Sequence, residues 1–181
     1  DQPGMRIGNI PVRKPAYLHG FGMSKKYFII AAGPLTAVPL NLLYWNRPFI
    51  ENHHWNPGEG GKIYVIERGT GKLKAKFKTN PFFTFHPINA WEEGEDVVID
   101  LDAYDDSSII QKYYMREMEK PDLELPFGTV RRYRLNLRTK KYSCEKRSDA
   151  CIELPRFDYS RYNMSSNYGF VYGVSIHPSH R

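Results

Sequence analysis

Six histidines, His19, His53, His54, His86, His177 and His180, are the side chains of this 181-residue chain best suited to hold a metal. A neutral imidazole ligates iron, zinc, copper or nickel through either ring nitrogen. Spacing alone does not choose between that role and a plainer one. None of the six stands at the i, i+4 interval that puts two ligands on one helix face, and no cysteine pair flanks them. A histidine met singly is more often a hydrogen-bonding residue than a ligand. Other chemistries find less support. The serine-nucleophile elbow is absent. Gly58, Gly60 and Gly61 precede a strand-like run, which is the wrong setting for a phosphate loop.

Whatever positions these histidines is built mainly from strands. Tyr27 to Ala32 is a continuous apolar run that reads as a buried strand. Lys62 to Arg68 and Leu73 to Lys78 flank the turn Gly69-Thr70-Gly71 and predict a hairpin. In its second arm Leu73, Ala75 and Phe77 alternate with Lys72, Lys74, Lys76 and Lys78. Period two means one buried face and one lysine face, a solvated surface that also discourages edge-to-edge pairing. Val97 to Leu101 predicts a strand buried on both sides. Val130 to Leu137 predicts another, with Tyr133, Leu135 and Leu137 opposite Arg132, Arg134 and Asn136. Tyr168 to Val174 predicts a last aromatic-rich strand. Asp105, Asp106 and Ser107 offer helix N-cap chemistry before one short helix that ends by Pro121. The fold class expected is all-β for the most part, with short helical insertions.

Composition agrees. Aromatics make up 14% of the chain, and 13 Pro with 14 Gly break it into short segments. The hydrophobic share of 41% excludes wholesale disorder. Two cysteines, Cys144 and Cys151, are too few to staple a domain of this size, so a disulfide scaffold is excluded and a reducing, cytoplasmic setting is the default. The net charge of +6 is scattered, with no basic cluster interleaved with stacking aromatics, and nucleic acid is not an expected partner. Asp1 is not an initiator Met and no signal segment follows it, so the sequence reads as part of something longer.

The window from Phe28 to Trp45 is the most apolar in the chain. Gly33, Pro34 and Pro39 interrupt it, so it does not span a membrane. Leu40, Leu42, Leu43, Tyr44, Trp45 and Phe49 form either a loop packed on the core or an apolar patch that dips into a bilayer interface.

The words around two of the histidines narrow the reading. Tyr17-Leu18-His19-Gly20-Phe21-Gly22-Met23, followed by an apolar strand, resembles a motif of the carotenoid oxygenase family, the non-heme iron carotenoid cleavage enzymes and the related retinoid isomerase. Phe85-His86-Pro87-Ile88-Asn89-Ala90-Trp91-Glu92 resembles that family's second histidine motif. The similarity continues through Asp100 to Tyr104, Asp106 to Ser108, Arg131 to Tyr133, Glu153 to Arg156, and Tyr168 to Gly173. Ordered blocks at compatible separations are more specific than any one block, and animal-type members fit best.

That resemblance implies an internal portion, residues 1–181, of a single seven-bladed β-propeller domain with ferrous iron, Fe(2+), on its axis. Four histidines from different blades hold the iron in the family. His19 and His86 match two of them, and Glu153 matches an outer carboxylate that accepts a hydrogen bond from a ligand imidazole, with His86 as its partner. Such a carboxylate fixes the tautomer and raises the basicity of the ring. The other two ligands fall outside this sequence. His177 and His180 match no family motif, and neither do His53 and His54, which lie in an expected loop. Pro87 stands where many animal members have a second, non-ligating histidine, and Gly20 replaces a common small polar residue.

The function implied is oxidative cleavage of a carotenoid double bond by dioxygen to two carbonyl products. A retinoid isomerohydrolase, or a non-catalytic carotenoid- or retinoid-binding propeller, shares the same frame. Phe82, Phe83, Phe85 and Trp91 flank His86 and either line a tunnel for a polyene or pack on strand faces. In the family an apolar surface near the tunnel meets the bilayer, and Leu42, Leu43 and Trp45 occupy a similar place, which implies a cytoplasmic enzyme with peripheral membrane contact. Taken alone, these residues are expected to be inactive.

Overall fold

The structure is a computed structural model and describes residues 4–40, 48–166 and 168–175. In chain order, β1 (Gly22–Met23) and β2 (Tyr27–Ala32) precede a ribbon of β3 (Leu35–Ala37) and β4 (His53–Trp55), then β5 (Gly61–Glu67) and β6 (Leu73–Thr79). β7 (Pro87–Glu93), β8 (Asp96–Ala103), α1 (Ser108–Lys112), α2 (Met115–Met118), β9 (Thr129–Asn136) and β10 (Tyr142–Ser148) follow. The last elements are β11 (Glu153–Arg156), α3 (Tyr159–Tyr162) and β12 (Tyr172–Val174). Two four-stranded antiparallel sheets result, in the orders β1-β2-β5-β6 and β10-β9-β8-β7, with two-stranded pairs β3-β4 and β11-β12. The chain is mostly β. Among the described residues the strands do not close into a ring.

The alternation that specifies each strand also specifies the core. Across β5 and β6, Ile63 faces Phe77 and Val65 faces Ala75, and these four join Ile29 and Ala31 of β2 on one buried face. Ala90, Val97, Ile99, Leu101 and Leu135 of the second sheet meet them, so one apolar layer glues the two sheets together. Burying a side chain of this size stabilises by about 1.5–3 kcal/mol. β8 lies inside its sheet, and Val97, Val98, Ile99 and Leu101 are all fully buried, as a strand covered on both faces requires. On its far face Asp100 lies opposite Arg132 and accepts two 2.8 Å hydrogen bonds from its guanidinium. Arg132 in turn stacks over Trp91, 4.8 Å from the ring centroid.

Several details depart from expectation. Leu73, expected on the buried face of the hairpin, is exposed because the β5–β6 register shifts between Val65 and Ile66 and pairs Leu73 with Ile66. The single helix before Pro121 is two short ones, α1 and α2; Ser107 stands at the N-cap of α1 without a side-chain cap, and Asp106 Oδ1, one residue earlier, accepts from Ser108 N–H at 2.8 Å. His53 and His54 sit in β4 instead of a loop, paired with Ala37 and Thr36. The last strand covers only Tyr172–Val174.

Leu42, Leu43, Tyr44 and Trp45, as well as His177 and His180, lie outside the described residues. Leu40 and Phe49, at either end of that apolar segment, are exposed. No helix among the described residues is long and apolar enough to cross a membrane.

Candidate metal centre

His19 and His86 each stand just before a first strand, His19 ahead of β1 and His86 ahead of β7. The two segments abut at Gly20, where a Cβ would lie 3.1 Å from Pro87 Cδ, so glycine permits the close approach. The imidazole centroids are consequently 5.0 Å apart and nearly perpendicular. Phe85 packs edge-on against His19 at 5.4 Å.

Glu153, at the start of β11, holds the second ring. His86 Nδ1 lies 2.8 Å from Glu153 Oε2, a bond in which the ring N–H donates and the carboxylate accepts. The Tyr104 hydroxyl donates to the other oxygen, Oε1. His19 Nδ1 lies 3.4 Å from the Tyr17 hydroxyl. With the Glu153 carboxylate as acceptor, His86 carries its proton on Nδ1 and keeps the Nε2 lone pair for a metal.

Electrostatics around Glu153 are unusual. Burial raises its carboxyl pKa, but hydrogen bonds from His86 and Tyr104 outweigh burial and the net shift is downward. Asp102 is fully buried close by, and neither of its oxygens has a hydrogen-bond partner among the described residues. Burial first, then the charge of Glu153, pushes Asp102 up to about 8. A fully buried carboxyl and a half-buried one beside it cannot both ionise cheaply, so Glu153 holds the charge and Asp102 the proton. Burial and the bond to Glu153 likewise keep Tyr104 a neutral phenol.

The rings open onto a cavity of about 440 Å³. Its polar lining is His19, His86 and Glu153. Phe85, Tyr104, Ile109, Tyr113, Leu125, Phe127, Cys151 and Leu154 supply most of the remaining wall, which makes it overwhelmingly apolar. Of the four aromatics that flank His86 in the sequence, Phe85 lines this cavity. Phe83 is buried behind it at a 4.7 Å centroid distance. Phe82 is fully buried in the layer between the sheets, and Trp91 packs against Arg132 and Tyr168, so both are core residues away from the wall. His53 packs edge-on against Tyr17 and does not line the cavity.

Tyr113, Leu125, Phe127, Cys151 and Leu154 were not evident as lining residues, because only the folded chain carries them to the site. Asp102 did leave a signal, a second acid beside Asp100 in a doubly buried strand, which is costly unless it has a task.

Two adjacent imidazoles, one oriented by a carboxylate, suit a borderline metal such as ferrous iron. Among the described residues no group of three or more His, Cys, Asp or Glu side chains is placed to hold a metal by itself.

The site is thus an antiparallel two-sheet unit that sets a histidine pair beside an apolar cavity. Comparison with known proteins gives the family. The model of the RPE65, or retinal pigment epithelial membrane protein, family matches residues 3–181, and the chain belongs to this carotenoid oxygenase family. The carotenoid isomerooxygenase of Galleria mellonella is 30% identical over 172 residues, covering 89% of this chain and 33% of that protein. The mitochondrial carotenoid-cleaving dioxygenase of Homo sapiens is 33% identical over 116 residues, covering 59% of this chain and 19% of that one. A crystal structure of cobalt-substituted Synechocystis ACO superposes with a TM-score of 0.76 at 21% identity, covering 91% of this chain and 33% of the other, which shows a shared fold. The chain thus spans about a third or less of the length of these relatives.

Proposed function

We propose that the protein carrying this chain cleaves a carotenoid double bond with dioxygen to give retinal-type or other apocarotenoid carbonyls, at a ferrous centre inside a seven-bladed propeller. The observation that carries the reading is the pair His19 and His86, 5.0 Å apart on an apolar cavity, with Glu153 on His86 Nδ1. Family membership supports it, and so does the activity named for its relatives.

Ferrous iron, when bound, would supply the binding and activation of dioxygen. The chain's own residues do the rest. His19 and His86 would each hold the iron through a ring nitrogen. Glu153 keeps the His86 proton on Nδ1, and Tyr104 fixes the Glu153 carboxylate. Phe85, Tyr113 and Phe127 give a polyene an apolar, aromatic surface and exclude water from the reacting bond. No side chain is required as a general acid or base.

A carotenoid substrate resides in lipid, so peripheral membrane contact through residues 40–49 of a cytoplasmic enzyme completes the proposal. The exposed Leu40 and Phe49 support it. The two remaining ligands would come from other parts of the protein, and the 181 residues alone would be inactive. Incubation of the full-length protein with β-carotene under 18O2 tests the reaction. Labelled aldehyde or ketone products are expected. Isomerised but uncleaved retinoid from a retinyl ester would point to the isomerohydrolase, and tight binding without turnover to a carrier.

A further inference from the structure

Among the described residues, three other than glycine have a left-handed backbone, Lys140, Leu154 and Met164, with φ of 58°, 53° and 57°. Lys140 belongs to the β9–β10 turn, and Met164 to the turn that follows α3. Leu154 differs, because it lies within a strand, β11. Nothing local asks for this conformation. Leucine disfavours it sterically, and the residue before a proline, here Pro155, is normally extended. Nor does burial explain it, since Leu154 is 54% exposed.

The consequence lies one residue earlier. Successive strand residues point to opposite faces, yet Glu153 and Leu154 both line the cavity beside His86. The β11–β12 register slips between Glu153 and Arg156, an irregularity of the kind that re-aims a side chain. We propose that Leu154 is a positioning residue whose left-handed backbone turns the Glu153 carboxylate onto His86 Nδ1 and the Tyr104 hydroxyl. Its side chain becomes part of the apolar wall in the same move. The strained conformation is tolerated because it assembles the carboxylate that orients a candidate ligand. The cobalt readout below rests on the metal-centre reading, and the proton-resonance readout does not.

Glycine adopts the left-handed region freely, whereas a β-branched residue resists it most. In the full-length protein reconstituted with Co2+, Leu154→Gly should hold cobalt within about twofold of the parent. Leu154→Val should bind it about 10–100-fold more weakly, the usual loss when an outer partner of a ligand is displaced. Valine binding as tightly as the parent, or glycine binding as weakly as valine, overturns the proposal. Should Leu154→Val fail to fold, Leu154→Ala takes its place in the metal-free protein. The downfield proton resonance of His86 Nδ1–H should persist in Leu154→Gly and weaken in Leu154→Ala, and equal resonances in the two overturn the proposal. A folded parent that takes up no cobalt counts against the metal centre, and the resonance comparison then decides the role of Leu154.

Discussion

His86 and Glu153 are 67 positions apart, yet His86 Nδ1 lies 2.8 Å from Glu153 Oε2. The bond ties the segment before β7 to the start of β11, and it sets which nitrogen of His86 faces the cavity. Tyr104 on the other carboxylate oxygen makes Glu153 a bridge between the candidate ligand and the wall of the cavity.

Removing the bridge should weaken metal binding without emptying the site. Glu153→Ala leaves His86 without an acceptor and Tyr104 without a partner, and cobalt affinity of the full-length protein should fall about 10–100-fold. Glu153→Gln keeps an acceptor oxygen and should lose less. Titration with Co2+, followed by its visible absorption, measures both, and unchanged affinity in the alanine variant would remove Glu153 from the centre.

Asp102 should give the metal-free protein a distinctive pH dependence. Its carboxyl is raised from 3.8 to about 8 in the folded chain by burial and by Glu153, with Arg131 as the opposing charge. The folded state therefore binds a proton that the unfolded chain has already released. That stabilisation is complete below about pH 4 and is lost as pH rises toward 8, by roughly 1 kcal/mol per pH unit. Asp102→Asn, which is neutral throughout, should flatten this slope. Urea midpoints at pH 5 and pH 8 check it, and parallel curves for the two proteins would show that Asp102 is ionised in the fold.

Aromatics near His86 should divide by location. Phe82→Ala opens a hole in the layer between the sheets and should cost about 3–5 kcal/mol. Tyr113, half-exposed on the cavity wall, should tolerate Tyr113→Ala with little loss of stability but an altered preference among carotenoids of different ring size. Thermal melts and competing-substrate assays separate the two effects.

The apolar segment should act at the membrane. Replacing Leu42, Leu43 and Trp45 together by Ser is expected to move the full-length protein from the membrane pellet to the supernatant after cell lysis. Unchanged partitioning would return the segment to the core-packing reading.

Period-two strands were legible without a structure, because alternation such as Ala75 and Phe77 against Lys74, Lys76 and Lys78 encodes a face directly. The doubly buried β8 was legible from its mostly apolar composition, Val97, Val98, Ile99 and Leu101. Register was not, since the slip that exposes Leu73 depends on how the β5–β6 turn closes. The segment after α3 was misjudged because its apolar side chains, Tyr168 and Val171 among them, pack as a loop against Ile88, Val130 and Phe157. His19, His86 and Glu153 were legible through family motifs alone, since spacing could not single them out. The cavity wall was not, because Tyr113, Phe127 and Leu154 reach it from separate segments, and Leu154 only through a backbone conformation its type disfavours.

Iron content of the full-length protein tests the central claim most directly, measured for the parent and for His19→Ala and His86→Ala. A mononuclear site of this kind predicts about one iron per chain in the parent and a small fraction of that in either variant. A folded parent without iron, or one that keeps its iron when both histidines are replaced, would contradict it.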